Sequence, residues 1–332
     1  MNGNAHGKRY FAFIPVVNGF DLLAKAVTSV VNQFDEIIII DNSRGGLDEC
    51  RAEFAENKII ELEDKSFAGA QNWARRHAIN EGYDFYIFMH NDGEASEDMP
   101  TRFIEFINEC YKKQPDWGVV FTHYDVICAF NTEVVKTIGV WGDEKWPERT
   151  GFGSYVFDID YYRRIRLAGY EIIQSDLGEY VTHHASSTIN NDPELKKIID
   201  KNHELAIQHY VKKWGGEIGS ECYSIPFGTD EEQLANHSST INYKYTIEKV
   251  GDQFRITNSK RTSEVMCNGS TIIVLELLEH GLTGLEIFEK IKEIFQKSSV
   301  ETSDAELKKD IIVCLNALVE AKVIRRDSAE VI

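Results

Sequence analysis

Basic charge is scarce in this sequence: 36 Lys and Arg stand against 54 Asp and Glu, a formal charge of −18. So acidic a surface repels phosphate backbones and anionic lipid, which argues against a nucleic-acid partner. A phosphate-bearing small molecule stays compatible where a divalent cation bridges phosphate and carboxylate. Proline is rare as well, with six residues, leaving little material for disordered linkers. The six cysteines, Cys50, Cys110, Cys128, Cys222, Cys267 and Cys314, include no C-x-x-C pair, so zinc-finger and dithiol layouts are excluded and reduced thiols expected. No apolar run approaches membrane-spanning length. Residues 2–9 are polar and lead into a short apolar stretch at 10–17 with no signal-peptide core, so a cytoplasmic location is expected.

What is present has a clear period. Residues 10–17 read as a buried strand, 21–32 as a helix and 36–40 as a second strand ending at Asp41. A strand at 58–62, a helix at 67–81 and a strand at 85–89 follow, the last ending in His90, Asn91, Asp92 and Gly93. Strands alternating with helices predict an α/β fold with a mainly parallel sheet. In such sheets, binding residues gather beyond the carboxyl ends of the strands, where Asp41 and Asp92 both fall. Further on come a helix near 101–113, an extended stretch at 119–130, a helix at 161–168 and a long helix near 193–213. At 332 residues the chain exceeds what one core usually organises. A cluster of Pro226, Gly228, Asn236 and Ser/Thr residues suggests a linker at 223–240, dividing a domain at 1–222 from one at 241–332. The second would hold strands at 243–250, 253–257 and 263–267, then helices near 270–279, 283–295 and 304–320.

Candidate chemistry lies in the carboxylates. Asp92, between an apolar strand and a turn, is placed to bind a cation whose other ligands are diphosphate oxygens. Asn91, Asp92 and Gly93 also make ordinary turn formers, as do Asp41, Asn42 and Ser43. Asp158 and Asp160 would both lie in the first turn of a helix starting near 158, where the dipole favours an ionised general base; a capped helix with surface ion pairs is the plainer alternative. His183 and His184 follow a strand-like segment and suit a metal such as manganese, although histidine often serves only as a hydrogen-bonded structural group.

Taken in order, Pro15 to Asn18, Asp41-Asn42-Ser43, Gly69 to Asn72, His90-Asn91-Asp92, Asp158-Ile159-Asp160 with the following Tyr-Tyr-Arg-Arg and Gly169-Tyr170, and His183 resemble the family 2 glycosyltransferases, over about residues 8–216. That resemblance implies a GT-A fold, a nucleotide-sugar donor with a UDP-sugar as first choice, and Mn2+ or Mg2+ as cofactor. It implies that Pro15 and Val16 line the base pocket with Asn18 beside them, and that Asp41 and Asn42 contact base or ribose. Gly69, Asn72 and Asn91 would lie close to the donor. Asp92 would hold the metal with His183, or with His184 in its stead. Asp158 would be the base of an inverting transfer, with Asp160 as substitute. Two positions depart from the family pattern: His90 stands where a first acid is usual, and Phe157 where a Glu often precedes the base.

Residues 241–327 resemble the PqqD-like domain, or RiPP recognition element, through Tyr245, Asp252-Gln253-Phe254, the run from Glu264 to Ser270, Gly281-Leu282-Thr283 and Ala321-Lys322-Val323-Ile324. In that α+β, winged-helix-like family, a leader peptide adds as a strand. The docking residues implied here are Thr262, Glu264, Val265, Met266 and Leu315. A DNA-binding winged helix shares the pattern, but 13 basic against 15 acidic residues in 241–332 disfavour it. Transfer to Ser, Thr or Cys of a captured precursor peptide is the expectation; a saccharide acceptor and a catalytically silent binding protein are the competing functions.

Overall fold

The computed structural model describes residues 7–43, 45–96, 98–142, 156–184, 192–235, 239–241, 244–258, 263–298 and 302–326. The chain forms two compact units, residues 1–206 and 207–332. Among the described residues, no helix is long and apolar enough to cross a membrane.

The first unit is built on a seven-stranded sheet with order β3-β2-β1-β4-β7-β6-β8. Its strands are β1 (Tyr10–Val16), β2 (Ile37–Asp41), β3 (Lys58–Glu61), β4 (Phe85–Met89), β6 (Trp117–Thr122), β7 (Tyr124–Asn131) and β8 (Glu171–Gln174). Only β7 runs against its neighbours, pairing antiparallel with β4 and β6, so the sheet is mixed and mostly parallel. The stretch at 119–130, expected as one extended segment, is two strands. They turn at Tyr124, whose positive φ of 48° reverses the chain.

Alternation sorts the core onto both faces. Along β1, Tyr10, Ala12, Ile14 and Val16 enter one cluster and Phe11 and Phe13 the other; along β4, Phe85, Ile87 and Met89 oppose Tyr86 and Phe88. The first cluster is covered by α1 (Phe20–Val30) and α3 (Met99–Lys113), the second by α2 (Phe67–Glu81), α4 (Thr132–Ile138) and α5 (Val156–Leu167). The chain passes β1, β2 and β3 to one side and then crosses to β4 on the other. The order therefore reverses between β1 and β4, the switch point where such sheets open a crevice.

Two short strands, β5 (Gly93–Ala95) and β9 (Val181–His183), form a separate antiparallel ribbon. Neither is long enough to show a period in the sequence. A helix, α6, follows at Pro193–Trp214.

The second unit contains β11 (Tyr245–Val250), β12 (Gln253–Asn258) and β13 (Glu264–Cys267) in an antiparallel sheet, and β10 (Ser239–Ile241) paired with β14 (Ile324–Arg326). Helices α8 (Gly269–Glu279), α9 (Gly284–Ser298) and α10 (Asp304–Glu320) surround a core of Leu275, Ile287, Ile312, Leu315 and Leu318. Ser303 and Glu306 close a capping box at the start of α10. Within 223–240, read above as linker, α7 (Asp230–Ala235) buries Leu234 completely, and Gln233 accepts from the backbone of Ser224 and Ile225. Among the described residues of this stretch, the turn formers lead into this helix.

Candidate active site

Three loops meet at the carboxyl ends of β2, β1 and β4. The register sets Val16 beside Asp41, and Asn42 donates its backbone N–H to the Val16 carbonyl at 2.8 Å. Asn91 then ties the next loop in, donating from Nδ2 to the Asn18 carbonyl at 2.9 Å. Asp41, Asn18, Asn91 and Asp92 thus line one edge of the sheet, across the switch point.

The ribbon of β5 and β9 brings in the histidine. Gly93 pairs with His183, and the His184 N–H donates to the Asp92 carbonyl at 2.9 Å. The His183 side chain is delivered to the carboxylate it was expected to join: Nε2 lies 3.4 Å from Asp92 Oδ1. From the other side, His90 Nδ1 lies 3.8 Å from the same oxygen. His90, Asp92 and His183 each offer a ligand atom, all within 4.8 Å of one another. Two imidazoles and a carboxylate form a donor set that suits Mn2+ better than Mg2+, which prefers oxygen alone. His184 is not in this group; its Nε2 turns to Glu94 Oε2 at 3.2 Å, because neighbouring residues of a strand point to opposite sides.

Asp125 belongs to none of the motifs read from the sequence. It stands at the start of β7, where the β6–β7 register shifts, with Oδ1 3.9 Å from His90 Nε2 and Oδ2 accepting from the Tyr162 hydroxyl at 3.2 Å. Its charge links the cation group to α5. Burial, then Asp125, raises the Asp158 carboxyl well above the usual carboxylate range. Asp158 is half-buried as a residue, yet its Oδ1 is shut off from solvent and has no hydrogen-bond partner. Asp160 lies outside the first turn of α5, fully buried, with Oδ2 accepting from Arg164 Nε at 3.1 Å. Arg164 also donates to the Ile138 and Val140 carbonyls, so Asp160 is committed to a structural ion pair and is no substitute base.

Several expected donor contacts prove to be scaffold. Asn72 clamps the Trp141 backbone from both ends, Oδ1 accepting at 2.8 Å and Nδ2 donating at 3.0 Å. Val16 is enclosed in the core, while Pro15 is half-buried. Asp41 Oδ1 accepts from the Ser43 backbone and hydroxyl, at 2.8 and 2.6 Å, the self-contained turn that aspartate favours. Asn18 Nδ2 donates to Asp192 at 3.3 Å.

Two other side chains hold unspent polar capacity. Asn42 gives Nδ2 to the Ser66 carbonyl at 3.4 Å, but its buried Oδ1 has no partner. Gln71, 1% exposed in α2, has neither amide atom hydrogen-bonded. An orphaned buried amide costs about 1–3 kcal/mol, which a polar ligand would recover. Gln71 is none of the candidate residues read from the sequence, although a Gln beside the Ala70–Ala74–Ala78 face of the helix is a legible anomaly.

Gly69 acts through space. Its N–H caps onto Ser66 Oγ at 2.9 Å, and an added Cβ would meet the Asp64 carbonyl oxygen at 2.4 Å. Gly69→Ala is expected to displace the start of α2 and to cost about 1–3 kcal/mol, read as a lower denaturation midpoint with an unchanged slope.

In the second unit, Leu315 packs in the core and faces no partner, because positions 307, 311, 315 and 318 share the inner stripe of α10. Val265 is half-buried against that core, whereas Glu264 and Met266 are exposed. Thr262 lies outside the described residues.

Residues 11–115 match the family described as Glycosyl transferase family 2. No curated protein matches the chain. Among solved structures, the chain is similar to a mannosyltransferase from Pyrobaculum calidifontis in complex with GDP-Man and Mn2+, with 14% identity, 52% of this chain and 56% of that chain covered, and a TM-score of 0.38. It is similar to S. aureus TarS 1-349 in complex with UDP-GlcNAc, with 14% identity, 58% and 66% covered, and a TM-score of 0.39. A third is glucosyl-3-phosphoglycerate synthase from Mycobacterium tuberculosis in complex with phosphoglyceric acid, with 13% identity, 60% and 80% covered, and a TM-score of 0.41. The chain spans less than two thirds of the length of the first two. The family match covers β1 to β5, and with them Asp41, His90 and Asp92.

Proposed function

We propose that the first unit performs an inverting glycosyl transfer from a nucleotide sugar, a UDP-sugar by first choice, with Asp158 as general base. The observation that carries this reading is the grouping of His90, Asp92 and His183 at the switch point of the sheet. These residues would hold Mn2+, or less suitably Mg2+, which as a Lewis acid supplies charge stabilisation to the departing diphosphate. Asp158 takes the proton of the incoming hydroxyl or thiol, and its raised affinity for protons brings it closer to the range where a base works best. Nucleotide release from UDP-glucose, UDP-GlcNAc and GDP-mannose, assayed with and without Mn2+, tests the donor half. No cation-dependent release from any of a broader panel of donors would leave the protein a silent binder.

The acceptor half of the proposal is a precursor peptide, recruited by a PqqD-like domain in residues 241–332. Supporting it, β13 pairs only with β12 among the described residues and lies against α10, leaving an open strand edge beside a helix. An extended peptide adds to such an edge through backbone hydrogen bonds, with side-chain contacts selecting the sequence. Capture there raises the effective acceptor concentration without new contacts at Asp158. Met266, 42% exposed on β13, falls where the peptide's side chains would rest. Met266→Asp should lower transfer to a leader-bearing precursor about tenfold, the size of a modest hot spot, with nucleotide-sugar hydrolysis unchanged. Equal transfer by both proteins would count against peptide docking and favour a saccharide acceptor.

A further inference from the structure

We infer that Asp125 is the positioning carboxylate of the cation site, orienting the His90 ring so that Nδ1 faces Asp92 and His183. This rests on the reading that His90, Asp92 and His183 hold a divalent cation. The His90 ring lies between two carboxylates addressed by opposite nitrogens, Nδ1 3.8 Å from Asp92 and Nε2 3.9 Å from Asp125. Asp125 stands on the far nitrogen of the imidazole, away from the group that shares Asp92, so it serves the ring and not the ion. A ligating histidine commonly gives its other N–H to a carboxylate, which fixes the tautomer, holds the ring plane and makes the ligand more basic. The second torsion of histidine is soft, and the Phe88 ring, with its centroid 4.9 Å away, supplies only a packing surface.

Asp125 is itself held. The Tyr162 hydroxyl donates to Oδ2, and burial keeps that phenol protonated and therefore a permanent donor. The backbone contributes as well. The His90 N–H donates to the Val126 carbonyl at 2.9 Å, so the ladder between β4 and β7 continues to the point where Asp125 leaves it. The register shift at the β6–β7 turn then places the carboxylate beside the exit of β4.

Mn2+ titration calorimetry on the full chain, with the thermal midpoint in EDTA as a check on folding, tests the inference. Loss of an outer carboxylate on a ligating histidine weakens metal binding about 10- to 100-fold, the change expected for Asp125→Ala. Asp125→Asn, which keeps an acceptor but removes the charge, should weaken it by a smaller factor, and it decides the matter if the alanine variant does not fold. A folded variant of either kind that binds Mn2+ as tightly as the parent overturns the role given to Asp125. If the parent binds no Mn2+, or if Asp92→Asn binds it unchanged, the cation site itself has failed, a result distinct from failure at Asp125 alone.

Discussion

Asp92→Asn is expected to abolish cation-dependent turnover, lowering it by about three orders of magnitude, the size of losing several kcal/mol of Lewis-acid stabilisation. Asp92 supplies the only carboxylate of the three-residue group, and both imidazoles approach the same oxygen, Oδ1. An amide there is a far weaker ligand and carries no charge to balance a dication. The same substitution should remove the thermal stabilisation by Mn2+, which for a ligand at 100 times its dissociation constant is about 2.7 kcal/mol in the parent. Reading both quantities separates loss of the metal from loss of chemistry. A variant that still gains stability from Mn2+ but turns over slowly would shift Asp92 from metal ligand to donor contact. A variant with parental turnover would remove the metal from the reaction altogether.

The strands and helices of the sheet were legible because their signal is local. Five isoleucine- or aspartate-bearing positions in a row at β2, or the two-residue period of Phe11, Phe13, Tyr86 and Phe88, encode burial in the sequence itself. Asp92 and His183 are each legible one by one, Asp92 beyond an apolar strand and His183 after a strand-like segment. Their meeting could not be read, since it depends on a ribbon of two three-residue strands far apart in the chain. His90 departs from the family pattern in the sequence, and only the geometry makes it a partner. Asp125 gave no signal, because a single acid after a tyrosine acquires its role from the turn that reverses β6 into β7. Asn72 and Leu315 erred the other way: a polar residue in a motif and an apolar residue on a docking helix were each claimed by the scaffold, one by the Trp141 backbone and one by the core. Asp160 followed them, drawn into an ion pair one helical turn away.

Asp158→Asn should lower transfer by about 100- to 10,000-fold, the span of a lost general base, while making the protein more stable at neutral pH. Both effects have one origin. Oδ1 is buried with no donor facing it, and the nearby Asp125 adds like charge, so the folded state holds the Asp158 proton more tightly than the unfolded chain does. Between the ordinary carboxylate range and the raised folded value, the folded protein binds more protons than the unfolded one, and stability therefore falls as pH rises through that window. Asparagine removes the penalty. With the residue only half-buried, the gain is about 1 kcal/mol at neutral pH, or roughly 2–4 °C in the thermal midpoint, and it disappears near pH 4. Around Asp158 the Cys128 thiol and Tyr162 phenol are both raised by burial and stay neutral, leaving Asp125 as the charge that acts on it. Parental activity should thus rise with pH as Asp158 ionises, and Asp125→Asn at saturating Mn2+ should move that rise to lower pH. An Asp158→Asn protein with near-parental transfer, or one no more stable at neutral pH than the parent, would place the base elsewhere and leave the buried carboxyl without a catalytic reason to be there.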